Sequence, residues 1–197
     1  ERRELLDGLD GDSLSKTGQV DIALAYSSIA SVADADISAL TWQKRSDLFN
    51  YKDGQFFEET FIRAISLNDD EFAQAANIAK KMLADGLAPL ELLSGRKLVF
   101  REPRNLDRRE LLSGSDGPDL VKKAGKLEEA LSYVCLLKCD ATDLTQFAWS
   151  KRADKLTIKE SQYYQSVFMS MYFLTKPDMQ KVSDFAKKAF GSSTEST

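Results

Sequence analysis

Shifted by 107 positions, the sequence falls on itself: Trp42 on Trp149, Lys44 on Lys151, Arg45 on Arg152 and Asp47 on Asp154. The register runs without a gap from Gly18/Gly125 to Ala84/Gly191 and holds 16 identities in 67 pairs. Unrelated sequences of ordinary composition would share roughly four. Many of the other pairs are chemically alike, among them Ile37/Leu144, Phe56/Tyr163, Phe57/Tyr164 and Ile78/Phe185. Whatever this chain folds into must therefore serve twice, as a unit of about 85–90 residues that is large enough to own a small core. The expected division is a first copy over 1–84, a connector over 85–106, a second copy over 107–191 and a polar, frayed tail over 192–197.

Each copy shows helical periodicity and almost no strand alternation, which predicts an all-α fold. The expected architecture is two tandem copies of a four-helix unit, joined by a basic connector that contains Pro and Gly. A first helix is expected near 19–33 and 120–139, where Val20, Ala23, Leu24 and Leu127, Ala130, Leu131 recur at helical spacing. A second covers 37–49 and 144–156. A third, 54–67 and 161–174, is the most apolar and should be central, with Phe56, Phe57 and Phe61 set against Tyr163, Tyr164 and Phe168 in the two cores. The fourth opens on matched caps, Asn68 before Glu71 and Thr175 before Asp178, with Pro177 in the first turn of the second copy. In the connector, Pro89–Ser94 suits a short helix and Lys97–Phe100 an extended piece. Asp107 to Leu112 then echoes Glu1 to Leu6 as a short amphipathic turn.

The hydrophobic share of 43% is that of a folded protein. No apolar run approaches the roughly 18 residues needed to span a bilayer, and no secretory signal is visible, so a cytoplasmic location without membrane contact is expected. Cys135 and Cys139 stand four apart on one expected helix and read as reduced, buried thiols. With no histidine in the chain, they lack the further ligands that a zinc site needs.

The segment Gly11–Leu14 spells the short signature of the GDSL esterases, but that chemistry needs a histidine to take the serine proton. The acidic run Asp7, Asp10, Asp12 fails the calcium-loop spacing, and Gly117–Lys126 fails the Walker spacing. Carboxylates remain, with nothing to single out a pair among 31 acids. No enzyme activity and no cofactor are expected.

Two groups of residues invite a binding role. One is Trp-x-Lys-Arg-x-Asp, kept in both copies as Trp42, Lys44, Arg45 and Trp149, Lys151, Arg152. It reads first as a core tryptophan with a covering arginine stem and a local ion pair, and second as an aromatic-and-cation surface for phosphate or a base. The other is the connector cluster Arg96, Lys97, Arg101, Arg104, Arg108 and Arg109. Residues 94–110 hold 6 basic and 3 acidic side chains, whereas 1–93 hold 9 and 17. Such a cluster suits either an acidic protein surface or a phosphate backbone. The expected function is a non-catalytic interaction or assembly protein of scaffold, coat or adaptor type, acting on a protein partner or on itself. A nucleoprotein-like RNA or DNA binder comes second, and a carboxylate-based enzyme third.

Overall fold

Two small antiparallel sheets, of two and four strands, make the fold mixed α/β and not all-α; Lys97–Phe100 is extended as expected, and the other strands stand where the sequence reading places helix or loop. The computed structural model describes residues 13–113, 119–174 and 176–190, with side chains over 20–113, 127–174 and 178–185. The N-terminal turn, the acidic run through Asp12, the cap at Thr175 and the 192–197 tail lie outside the described residues. The chain divides into two compact units, Glu1–Ser66 and Leu67–Thr197.

In the first unit, α1 (Ser13–Ser27) leads into a hairpin of β1 (Ser31–Val32) and β2 (Ala35–Asp36), then α2 (Trp42–Ser46) and α3 (Tyr51–Ile65). The first helix begins and ends six residues earlier than expected; it stops there because the chain turns at Ser28 and reverses at Ala33 and Asp34, whose φ values of 47° and 66° a helix cannot hold. The second helix shrinks to five residues, closed at its start by Thr41, whose Oγ accepts from the Lys44 N–H. Asn50 caps α3 by accepting from Asp53. Tyr26 of α1 packs against Phe49 and against Phe57 of α3, with Phe61 beyond. Gly54 lets α3 approach α1, since a Cβ there would lie 2.8 Å from the Tyr26 hydroxyl. Phe56 is not in this core. It is 75% exposed, and Phe61 is only half-buried.

The second unit opens with α4 (Asp69–Asp85), followed by β3 (Leu90–Glu91), β4 (Lys97–Phe100) and α5 (Asn105–Leu112). Then come α6 (Asp119–Cys135), β5 (Leu136–Cys139), β6 (Thr142–Asp143), α7 (Trp149–Ala153), α8 (Ile158–Tyr172) and α9 (Lys176–Phe190). The sheet order is β3-β4-β5-β6. Pro89–Ser94 thus holds a strand and the turn through Gly95, not a helix, because the chain reverses there at φ 83°. Cys135 ends a helix and Cys139 ends a strand; both are buried and free, but they do not share a helix. The β5–β6 hairpin repeats β1–β2 at the same offset, Lys138 facing Asp143 as Ser31 faces Asp36.

Residues between the two copies contribute to this core. Leu90, Leu98 and Phe100 are buried with Tyr133, Leu136, Leu144, Tyr164, Val167 and Phe168. Phe100 meets Tyr164 and Phe168 edge-on, the orientation that aromatic quadrupoles favour. Helix α4, the last helix of the first sequence copy, lies along α8, the third helix of the second. Its face Ala75, Ala79, Met82 is buried there, with Ile78 partly so. The Leu67 N–H donates to Gln162 Oε1 at 3.1 Å, and Lys159 Nζ lies 2.8 Å from Glu71. Glu71 also closes a capping box with Asn68, and Lys159 first and that cap second hold its carboxyl below the ordinary value.

Candidate functional site

The residues expected to bind are largely engaged within the fold. Arg45 is buried, and its guanidinium donates to five backbone carbonyls: Leu40 at 2.9 Å, Tyr26 at 3.3 Å, Ser27 at 2.7 Å, Ile29 at 2.8 Å and Ser38 at 2.6 Å. Arg152 donates to the equivalent five, Phe147, Tyr133, Val134, Leu136 and Thr145, at 2.8–3.3 Å. Carbonyls at the end of a helix have no partner within it. In each copy the arginine fork gathers those of the first helix's end and ties them to the loop before its own short helix. Trp42 and Trp149 are half-buried, and Lys44 and Lys151 are exposed. Lys151 pairs with Asp154 at 3.4 Å.

The connector cations divide into two sets. Arg101 grips buried Asp107 with both nitrogens, at 2.7 and 2.8 Å, while the Arg104 N–H and side chain reach the same carboxylate at 2.8 and 3.3 Å. Arg101 first, and then the Arg104 bonds, hold the Asp107 carboxyl well below the usual carboxylate range. Arg96 bridges Asp140 at 3.1 Å and buried Glu160 at 3.0 Å, and donates to Cys139 Sγ and the Lys155 carbonyl. Burial works to raise Glu160, but Ser94, the Thr157 N–H and Arg96 bring it below its ordinary value. Lys97, Arg104, Arg108 and Arg109 keep exposed side chains. The cluster that looks continuous in sequence is therefore two internal ion-pair sites flanked by separate surface cations.

Among the described residues no three of His, Cys, Asp and Glu stand close enough to hold a metal ion. Burial pushes the Cys135 thiol up to about 11, so it is protonated and a poor nucleophile near neutral pH. Tyr163 Oη is buried without a hydrogen-bond partner among the described residues.

The exposed features with the largest apolar content lie on helices. Helix α9 presents Met179, Val182 and Phe185, the last two 50% and 72% exposed, at the i, i+3, i+6 spacing of one face. Helix α3 presents Tyr51 and Phe56. Sequence reading placed Phe56 and its partner Tyr163 in matching cores; only Tyr163, fully buried, is there. The signal was present in the repeat, because Phe185 aligns with Ile78 and Val182 with Ala75, two positions on the face of α4 that lies on α8.

No family model, curated protein or solved structure matches this chain. The functional reading rests on its geometry. No described helix is long and apolar enough to cross a membrane.

Proposed function

We propose that this chain is a non-catalytic assembly protein whose duplicated helical elements present apolar faces to other protein surfaces. The observation that carries the reading is the exposure of Met179, Val182 and Phe185 on one helix and of Phe56 on another. Clustered large apolar side chains on a surface mark sites of association. Support also comes from the arginines, the groups best suited to anion recognition. Arg45, Arg152, Arg96 and Arg101 each hold part of the fold together. The contact is accordingly apolar at its centre, with charge at the rim setting orientation and rate.

Sedimentation velocity over a hundredfold concentration range tests this reading. The expected result is a rising weight-average mass that persists in high salt, since apolar burial is not screened. A mass fixed at the monomer, together with steeply salt-dependent binding to a random oligonucleotide through Lys97, Arg108 and Arg109, would replace it with the nucleic-acid reading.

A further inference from the structure

The contact between α4 and α8 joins the last helix of one sequence copy to the third helix of the next. Its parts recur at the offset of 107, where large apolar ones are exposed. Leu67, 7% exposed and bonded through its N–H to Gln162, corresponds to Leu174, 63% exposed. Glu71, paired with Lys159, corresponds to Asp178, which within its own helix pairs with Lys181 at 3.5 Å. The face Ala75, Ile78, Ala79, Met82 corresponds in sequence to Val182, Phe185, Ala186, Ala189. On the receiving side, Lys159 corresponds to Lys52 and Gln162 to Gln55, both identical, and fully buried Tyr163 corresponds to Phe56, which is 75% exposed.

We infer that α9 of one chain docks on α3 of a second copy, repeating between molecules the contact that α4 and α8 make within one. This rests on the assembly reading and names its partner and its faces. Each polar element of the existing contact has its counterpart. Lys52 takes the place of Lys159 and pairs with Asp178 of the second molecule. Gln55 takes the place of Gln162 and accepts from the Leu174 N–H. Val182 and Phe185 cover Phe56, larger groups on α9 filling the space left by a shorter acid and a ring without a hydroxyl. Phe56 suits this role better than tyrosine, because at the same position Tyr163 buries a hydroxyl without a partner among the described residues. Donor and acceptor faces differ, so the contact is heterologous and propagates head to tail, ending only if the geometry closes into a ring.

Two surface variants and their mixture provide the test. Phe56→Asp spoils α3 and leaves α9 intact, and Phe185→Asp does the reverse. Both positions are exposed, so helicity and the unfolding midpoint are expected to stay at wild-type values. Each variant alone should associate at least about thirtyfold more weakly than wild type, the usual consequence of losing an interface anchor. An equimolar mixture should form a one-to-one complex that grows no further, because one good α9 meets one good α3 and both remaining faces are spoiled. If wild type associates but Phe56→Asp still does so at full strength, assembly uses another pair of faces and this inference falls while the assembly reading stands. If Phe185→Asp alone abolishes association, α9 pairs with something other than α3. A wild type that stays monomeric at every concentration overturns both.

Discussion

A single arginine in each copy, buried as Arg45 and half-buried as Arg152, decides how the chain leaves its first helix. Arg45 and Arg152 each satisfy five carbonyls drawn from two loops and a helix end. Lysine carries the same charge but has no planar fork and reaches one or two of those oxygens. Arg152→Lys is therefore expected to cost about 2 kcal/mol, the order for leaving partly buried acceptors unmet, as read from a denaturant midpoint. Asp107 is a second such residue. Its folded carboxyl lies below the unfolded value of about 3.9, so the stabilisation is complete above that pH and is lost as pH falls toward the folded value. Asp107→Asn should cost about 2–3 kcal/mol near pH 7, somewhat less than for a fully enclosed pair, since Arg101 keeps 30% of its side-chain surface in water. Between pH 5 and 8 the gap from wild type should stay constant, then narrow below about 4. A gap that widens in acid would mean that another carboxylate controls this region.

At the scale of elements, capped and strongly apolar helices were legible, as was the extended piece Lys97–Phe100, and the other short strands were not. The Asn68/Glu71 pair marks the start of α4, and the box forms as its spacing implies. Thr157 and Glu160 form another, which places the start of α8 ahead of the expected residue 161. The end of the first helix was unreadable because Leu136 and Leu137 continue the apolar series of α6, and periodicity cannot tell a short buried strand from one more helical turn. What ends the helix is the arginine some 17 residues downstream, a non-local cause. Burial was likewise legible only where neighbours happen to cover a position. Phe61 and Phe168 look equivalent in sequence, yet Phe168 is fully buried among Phe100, Tyr164, Tyr172 and Phe173, while Phe61 is partly in solvent. Phe168→Ala should cost about 3–5 kcal/mol. Phe61→Ala, with less area to lose, should cost roughly half that. Equal losses in the two variants would show that the helices bury their faces alike.

For the whole molecule, the repeat was plain in the sequence, but the boundaries of the compact units were not. Copies are aligned by residue identity, and identity says nothing about which copy supplies the helix that covers a given face. The compact units part at Ser66/Leu67, so α4 belongs by descent to one copy and by contact to the other. The candidate site shows the same limit. The connector arginines stood out by density, while the partners that occupy them, Asp107, Asp140 and Glu160, are scattered over more than 50 positions. The two cysteines also follow from this partition. Both belong to the second unit, both are buried, and the first unit contains none. Thiol chemistry therefore gives each half of the chain a different visibility. With Cys135 pushed up to about 11 and enclosed, a maleimide at pH 7 should label the native chain slowly, at a rate set by how often the second unit opens. Denaturant low enough to loosen only the first unit should leave that rate unchanged. Labelling that is immediate in native buffer would show that the thiols are reachable without opening. Otherwise the chain carries its own stopwatch, wired to one half and silent about the other.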